Sequence, residues 1–307
     1  NNTRPIIIDN YIAENEMGIS TWFGSSPTIL NNTITSNFHD GIFMKDDGHP
    51  TIAGNIITLN GGPGIGCSND CNAMIQENTV TINGAGISCS GNSNATIQDN
   101  NISQNNGVGI HCHSCSPNIY CNNITSNYQG IFLNNSNPSI QDNIITFNQD
   151  VGIGGTFSSP TIQGNTITSN SGNGGIVLKG NIHGMIQGNN IMNNTGDGIQ
   201  IWHNCSLTIQ GNIITSNMNI GIYCNDTARL EVHKNDICSN AGYGIKNDDP
   251  LITINATNNY WGSANGPVRD PPDPIDPEEI FGNVLYNPWL TESIIIAEIT
   301  YPLQGET

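Results

Sequence analysis

The stretch Pro27-Thr-Ile-Leu-Asn-Asn-Thr-Ile-Thr-Ser-Asn-Phe-His-Asp-Gly-Ile42 decides the fold, because it recurs about every 22 residues along most of the chain. Self-similarity at such a period is the signature of one structural unit stacked many times. Two asparagine columns and a Gly-Ile column hold their places in eleven successive copies. The asparagines on which the two predicted ladders rest include Asn32, Asn55, Asn78, Asn100 and Asn122 in the first column and Asn37, Asn60, Asn83, Asn105 and Asn127 in the second.

Each copy has three short apolar positions, which in the copy quoted above are Ile29, Ile34 and Ile42. These positions are almost all β-branched, and the residues beside them are Thr, Ser, Gln and Asn, which is the alternation of a half-buried strand. Three strands and three turns in about 22 residues, without helical periodicity, predict an all-β, single-stranded parallel β-helix of about 11–12 coils. This solenoid is expected to span residues 1–261 as one domain, with 250–261 as a degenerate twelfth coil.

The asparagine columns are expected to be structural rather than a binding surface. Asparagine tolerates the left-handed backbone conformation at turns. When stacked in register, its amide groups can also hydrogen-bond from coil to coil.

The composition changes after residue 261. Residues 262–293 contain an acidic, proline-rich run, and because proline cannot donate to a ladder we predict a loop over the last coil. Residues 294–301 are apolar enough for a final strand, so 262–307 is expected to cap or link the solenoid. Oxygen ligands on an irregular loop suit calcium, although a solvated acidic loop is the more common explanation. The candidate calcium ligands are Asp270, Asp273, Asp276, Glu278 and Glu279.

The charge balance limits the partners of the protein. The chain has 7 Lys and Arg against 25 Asp and Glu, a formal net charge of −18, which argues against nucleic acid and anionic membrane surfaces. No apolar run reaches the roughly 18 residues of a membrane span. We find no signal peptide, so the numbering is expected to start at a processed end or inside a longer protein. Scarce positive charge and abundant amides favour an extracellular protein.

Ten Asn-x-Ser/Thr sequons are candidate glycosylation sites in a secreted protein, although many arise by chance in such a sequence. They are at Asn1, Asn31, Asn94, Asn101, Asn123, Asn134, Asn193, Asn204, Asn225 and Asn255.

The chain has nine cysteines, so at least one thiol is unpaired within the monomer. Four share an inward strand position and are expected to act as small core residues, namely Cys67, Cys89, Cys112 and Cys224. The others lie elsewhere in their coils, at Cys71, Cys115, Cys121, Cys205 and Cys238. In an oxidising compartment the pairs Cys67–Cys71 and Cys115–Cys121 are candidate disulfides.

The repeat, together with Asn258-Asn-Tyr-Trp-Gly-Ser-Ala-Asn-Gly-Pro267 and Asn287-Pro-Trp-Leu290, resembles the NosD-like right-handed β-helix proteins. This group includes many surface proteins of methanogenic archaea, and the resemblance implies right-handed coils over nearly the whole chain. It does not fix a function, because the group spans a copper-site maturation factor, carbohydrate-active enzymes, and envelope or sheath proteins.

Three kinds of chemistry are conceivable on the strands. A polysaccharide lyase or epimerase needs a cationic base, and the coil strands offer few cations. Asp46-Asp47 resembles the Asp-Asp element of β-helical pectin hydrolases, but the other motifs of those enzymes are missing, and turn chemistry explains the pair. His111-Cys112-His113 could bind copper or zinc, but alternation sends Cys112 inward and both histidines outward, which prevents shared chelation.

The outward face of the strands that begin with the Gly-Ile pair is the best candidate surface. Exposed aromatic residues on a rigid face favour glycan stacking or protein contact, although aromatic residues also simply favour strands. The candidate binding face comprises Trp22, Phe43, His111, His113, Phe132, Val177, Trp202 and Tyr223.

These observations favour a non-enzymatic, extracellular β-helix of a cell envelope, sheath or adhesive filament, with surface glycans as candidate ligands. A carbohydrate-active enzyme and a copper-binding maturation protein are the alternatives. Coil 1 begins at the first residue and is expected to lack a cap, so its open strand edges predict end-to-end self-association.

Overall fold

The computed structural model, which describes residues 3–269 and 279–294, is a right-handed parallel β-helix of about eleven turns. Three parallel sheets form its walls, and each of the first eleven coils contributes one short strand to each sheet. The asparagine positions of successive coils are 21 to 24 residues apart, so the period predicted from the sequence is confirmed.

Within the described residues sheet A has 13 strands, and its regular rungs align Ile29 with Ile52 and Ile75 with Ile97. Its strands are Ile6–Ile8, Thr28–Leu30, Thr51–Ala53, Met74–Gln76, Thr96–Gln98, Asn118–Tyr120, Ser139–Gln141, Thr161–Gln163, His183–Gln187, Ser206–Gln210, Arg229–His233, Ile254–Asn255 and Val284–Leu285.

Sheet B has 11 strands and follows sheet A after a single tight corner in each coil. Its strands are Tyr11–Ala13, Thr33–Thr35, Ile56–Thr58, Thr79–Thr81, Asn101–Ser103, Asn123–Thr125, Ile144–Thr146, Thr166–Thr168, Asn190–Met192, Ile213–Thr215 and Asp236–Cys238.

In the part of the chain that the structure describes, sheet C has 13 strands, many of six residues, and is the broadest wall of the rod. In spatial order its strands are Ile19–Thr21, Ile42–Lys45, Pro63–Ser68, Ala85–Ser90, Val108–His113, Gln129–Asn134, Val151–Thr156, Gly174–Lys179, Asp197–Trp202, Ile222–Cys224, Ile245–Asn247, Glu279–Phe281 and Val268–Arg269.

The core is a stack of isoleucines from all three sheets. Ile97, Ile102 and Ile110, which belong to one turn of chain, are fully buried, and the pattern repeats in the neighbouring coils. Full burial of such a side chain contributes about 1.5–3 kcal/mol. The alternation of apolar and polar residues in the repeat therefore sets which face of each strand points inward.

The two asparagine columns form continuous ladders, as predicted, and the ladders are buried from the second coil onward. Asn55 Nδ2 donates to Asn78 Oδ1 at 2.9 Å, and the backbone N–H of Asn55 donates to the same oxygen at 3.0 Å. The first ladder runs from Asn10 to Asn259 and the second from Asn15 to Asn240. Each ladder satisfies corner backbone groups that would otherwise be buried without partners.

A third ladder at the corner between sheets C and A is not apparent from the sequence. The backbone N–H of Cys71 donates to Ser93 Oγ, and that of Cys115 donates to Ser136 Oγ, both at 3.2 Å. Cys71 and Cys115 are therefore buried corner residues, and Cys205 is buried at the same kind of corner. The corner differs in length between coils, so a fixed spacing from the Gly-Ile column does not reveal the alignment.

The C-terminal coils correct the prediction that 262–293 is a loop without ladder pairing. Glu279–Phe281 extends sheet C beside Ile245–Asn247, and Val284–Leu285 extends sheet A beside Ile254–Asn255. Proline is absent from 279–285, so nothing in this segment prevents pairing. Residues 295–301, which make up most of the predicted final strand, lie outside the described part of the chain.

Trp261 closes the core at this end and is fully buried. The two parts of the C-terminal signature meet around it, because Trp289 Nε1 donates to Ala264 O at 3.2 Å and the Leu290 N–H donates to Asn259 O at 2.9 Å. Trp261 and the residues packed around it thus take the place of the next layer of core isoleucines.

Candidate functional site

The outer face of sheet C carries two columns of exposed or half-buried side chains. Phe43 is representative of the first column, which lies two residues after the column glycine in each coil, and Trp22 of the second, which lies four residues after it. Parallel pairing in register stacks each column along the rod at about 4.8 Å per coil. Side chains of neighbouring coils are therefore in contact, both within a column and between the two columns.

The N-terminal platform consists of Trp22, Phe43 and Lys45. The ring centroids of Trp22 and Phe43 are 5.6 Å apart with an interplanar angle of 63°, an edge-to-face contact. Lys45 Nζ lies 5.3 Å from the Trp22 ring centroid, and Trp22 Nε1 donates to Ser20 Oγ at 2.7 Å. These contacts orient a tryptophan whose exposed fraction is still 43%.

The C-terminal platform consists of Lys179, Trp202, Tyr223 and Lys246, from four successive coils. The Trp202 and Tyr223 centroids are 5.0 Å apart. Lys179 Nζ lies 5.7 Å from the Trp202 centroid, and Lys246 Nζ lies 5.6 Å from that of Tyr223. Each such cation–π contact is worth about 0.5–1 kcal/mol at an exposed site.

Three of the four lysines in the chain thus lie on this one face. In a protein with a net charge of −18 this is a marked concentration of positive charge. In the sequence analysis these lysines served only as evidence that the strands carry too few cations for catalysis. Their spacing from the column glycine matches that of the aromatic residues, and it is the signal by which sequence reasoning could have found them.

A polar edge adjoins the C-terminal platform. Tyr223 Oη donates to Asp248 Oδ2 at 3.0 Å, and Lys246 Nζ lies 3.1 Å from the same oxygen. Burial, followed by this hydrogen bond to Asp248, raises the pKa of Tyr223 to about 12. On the next corner His203 Nδ1 lies 2.9 Å from Asp226 Oδ2. The edge therefore offers a phenol, a carboxylate, an ammonium and an imidazole on neighbouring coils.

The middle of the face is less aromatic. The His111 and Phe132 centroids are 6.0 Å apart, and burial lowers the pKa of His111. His113 is exposed one column further out. Val177, which strand alternation predicts to be exposed on this face, is instead 93% buried, so it cannot be a contact residue.

The structure places the other candidates away from any assembled site. Cys112 points into the core while His111 and His113 point outward, in agreement with the alternation argument. Asp46 and Asp47 both have positive φ values, 68° and 46°, which is the conformation of a turn. Within residues 3–269 and 279–294 no group of three or more His, Cys, Asp or Glu side chains is arranged to hold a metal ion.

Four of the five candidate calcium ligands, Asp270, Asp273, Asp276 and Glu278, lie outside the described residues. Glu279 is described and is 96% buried in a strand of sheet C, not in an irregular loop. Its side chain is therefore not presented on a loop surface.

The sequon asparagines differ from the ladder asparagines in exposure. Asn1 lies outside the described residues, and the other nine are exposed or half-buried. No ladder asparagine begins a sequon, so a glycan at any described sequon would not interrupt a ladder.

Of the two thiol pairs predicted as disulfides, Cys115–Cys121 is contradicted. Cys115 is buried in the core and Cys121 is exposed at a different corner, so the two sulfur atoms cannot meet. Cys67 and Cys71 are both buried and lie together.

Three comparisons with known proteins bear on the fold. A family model for the right-handed beta helix region matches residues 1–102, 72–183 and 121–259. No curated protein matches the chain in sequence.

None of the described residues belongs to a helix that is long and apolar enough to cross a membrane.

The solved structures with a similar fold include an epimerase module and a phage tailspike domain. The A-module of a mannuronan C-5 epimerase from Azotobacter vinelandii matches with a TM-score of 0.65 and 15% identity, over 88% of this chain and 91% of that one. The enzymatically active domain of tailspike protein 2 of bacteriophage CBA120 matches with a TM-score of 0.57 and 12% identity. That match covers 100% of this chain but only 50% of the tailspike domain. At such identities the similarity shows the fold alone.

Proposed function

Because the chain belongs to the right-handed β-helix family, we propose that it is a rigid secreted or cell-surface protein that binds a linear polysaccharide along the outer face of sheet C. The observation that carries the proposal is the C-terminal platform, where Trp202 and Tyr223 pack 5.0 Å apart beneath two lysines. Aromatic rings held on a rigid wall provide flat apolar surface at low entropic cost, and the flanking polar groups provide hydrogen bonds.

The arrangement of the two platforms supports a long ligand rather than a small one. Trp22 and Trp202 occupy the same column eight coils apart, a separation of about 38 Å at 4.8 Å per coil. A polymer that lies along the rod can contact both platforms, and the second contact is then intramolecular. The affinity is therefore expected to rise steeply once the ligand spans this distance.

The mannuronan C-5 epimerase whose fold is similar acts on a polysaccharide, which is compatible with a glycan ligand here. The similarity is one of fold, so the proposal depends on the residues of the face. Neutral and acidic polysaccharides are both tested, because the net charge of −18 repels a polyanion whereas Lys45 and Lys179 place positive charge on this face.

The proposal is tested by titrating the purified protein with a panel of neutral and acidic polysaccharides and with oligosaccharides of increasing length. Trp202→Ala is expected to weaken binding of the best ligand at least tenfold. Phe147→Ala is the matched control, because Phe147 is an aromatic residue with an exposed fraction of 64% that lies outside sheet C. Binding that is equally unaffected by both changes, or no binding to any glycan, would contradict the proposal.

A polysaccharide-modifying enzyme is the second candidate, favoured by the contact between Tyr223, Asp248 and Lys246. A phenol in contact with a carboxylate and close to an ammonium group can exchange a proton with a ligand bound on the same C-terminal platform. This candidate predicts new products by NMR after prolonged incubation with the best ligand, and their loss in Tyr223→Phe. If the ligand is unchanged after incubation with a stoichiometric amount of protein, the enzyme candidate is wrong and only the binding function remains.

Several narrower assignments are part of this proposal. The C-terminal signature supports membership of the NosD-like subgroup, in which surface and sheath proteins are common. Ile6 and Tyr11 in the first coil, with exposed fractions of 71% and 74%, support association of copies of this chain, which light scattering at increasing concentration would detect. Calcium binding by the acidic segment is kept as a proposal, to be tested by calorimetry.

A further inference from the structure

Five of the nine cysteines lie together inside the solenoid, in three successive coils. Two inward columns run side by side at the corner between sheets C and A, and in these coils they form a grid of two by three positions. The strand column holds Cys67, Cys89 and Cys112, and the corner column holds Cys71, Ser93 and Cys115.

All five thiols are at least 96% buried and belong to the hydrophobic core. Cys67 aligns with Cys89, and Cys89 with Cys112, in the parallel register of sheet C. The grid is therefore fixed by backbone pairing and not by flexible side chains.

Within the grid, two pairs of thiols each flank a single corner. Cys67 Sγ donates to the carbonyl oxygen of Cys71 at 2.8 Å, and Cys115 Sγ donates to that of Cys89 at 3.3 Å. Cys112 and Cys115 flank the equivalent corner two coils further on, and both side chains are buried in the core. Cys89 has Ser93 as its corner neighbour and no thiol there.

The corners bring each pair together by turn geometry. Asn69 and Asp70 have φ values of 55° and 60°, and Ser114 has a φ value of 53°. These left-handed residues reverse the chain within three or four residues, so that both flanking side chains point inward. Short corners of this kind keep the two Cα atoms close, as a disulfide requires.

We propose that the protein carries two internal disulfides, Cys67–Cys71 and Cys112–Cys115, and that Cys89 between them remains a thiol. Each bond forms by thiol–disulfide exchange with an external disulfide, such as glutathione disulfide or the disulfide of an oxidoreductase. Each cysteine pair loses two electrons and two protons, and the external disulfide takes them up and leaves as two thiols. Because the grid is buried, the exchange takes place during folding, before the corners pack.

A metal centre is the competing use of such a cluster. Within the described residues no group of three or more ligand side chains has the arrangement of a metal site. The outward position of His111 and His113 also removes the nearest imidazoles from the grid. The placement of two thiol pairs across two short corners, rather than their convergence on one point, favours disulfides.

The experiment refolds the full chain from denaturant with reduced and oxidised glutathione, then blocks free thiols with N-ethylmaleimide under denaturing conditions. Mass spectrometry is expected to find four protected cysteines and five labelled ones, and peptic mapping at acidic pH should assign the two bonds. Protein refolded with dithiothreitol should label at all nine positions. Nine labelled cysteines after oxidative refolding, a bond that involves Cys89, or a bound metal ion in the native mass would overturn the proposal.

Two variants keep the test independent of folding failure. Serine already occupies the equivalent corner position in other coils, at Ser93, Ser136 and Ser158. The Cys71→Ser variant should therefore fold, and only Cys112 and Cys115 should be protected from labelling in it. Cys121→Ser, at an exposed site outside the grid, should leave both bonds in place. Circular dichroism verifies the fold of each variant before labelling.

Discussion

Asn100 Oδ1 accepts two hydrogen bonds from Asn78, one from the side-chain Nδ2 and one from the backbone N–H, each at 3.0 Å. Asn78 Nδ2 in turn reaches the carbonyl oxygens of Ile52 and Gln76 at 2.9 and 2.8 Å. One amide therefore joins three successive coils in a fully buried corner.

We expect Asn100→Ala to lower the free energy of unfolding by about 3 kcal/mol or more, because it leaves several buried groups of the ladder unpaired. Asn101→Ala is the matched control, since Asn101 is exposed on the next strand and should change stability by less than about 0.5 kcal/mol. Urea unfolding followed by circular dichroism measures both. Equal losses would show that the ladder adds little beyond the strands themselves.

Gly109→Ala is expected to destabilise the protein strongly. A Cβ atom at this position would lie 2.7 Å from Gly130 O and 2.9 Å from Asn127 Nδ2. Overpacking against a fixed backbone costs about 1–3 kcal/mol or more.

Gly188→Ala separates this steric effect from backbone strain. Gly188 has a φ of +63°, but no atom lies within 4 Å of the position that a Cβ would occupy, so the variant should lose only the roughly 1–2 kcal/mol of a left-handed alanine. Thermal unfolding ranks the two variants. A Gly188 variant that is less stable than the Gly109 variant would contradict the packing argument.

Trp261 plugs the C-terminal end of the core, and among the described residues its buried Nε1 finds no hydrogen-bond partner. Trp261→Ala should therefore cost about 3–5 kcal/mol. Trp261→Phe should cost much less, because it keeps most of the packing and removes an unpaired donor. If both variants lose the same stability in urea, the indole nitrogen has a partner in solution.

Tyr223 should titrate later than an ordinary tyrosine, because burial and Asp248 raise its pKa to about 12. Since the folded-state pKa lies above the unfolded value of about 10, the stabilisation is complete below pH 10 and is lost between about pH 10 and 12. Ultraviolet difference titration should show one late phenol, which Tyr223→Phe removes and Asp248→Asn shifts to lower pH. A titration unaltered by Asp248→Asn would contradict the assigned cause.

The repeat predicts the fold well because each column position determines a strand face. Ile29, Asn32 and Gly41 lie where the period puts them, since parallel pairing in register copies one coil onto the next. The exposed aromatic column follows from the same alternation, and only Val177 is misplaced by it.

The corner alignment, the side-chain contacts and the C-terminal strands could not be predicted, because the repeat period carries no information about their geometry. Corner lengths vary, so Cys71 and Cys115 stand at different distances from their column glycines although both belong to one corner column. Side-chain torsions place Lys179 and Lys246 over aromatic rings, and no spacing rule determines those angles. The strand at Glu279–Phe281 depends on a return of the chain to sheet C that nothing in the repeat encodes.

The parallel ladders also determine how the rod responds to force. Hydrogen bonds between coils run along the long axis, so tension between the two ends acts in the direction in which these bonds part. Coils should then peel away one after another instead of rupturing together, as in other nearest-neighbour repeat folds. Each released coil of about 22 residues adds roughly 70–80 Å of extended chain. The protein would thus lengthen under tension in a series of steps, with one coil released at each step.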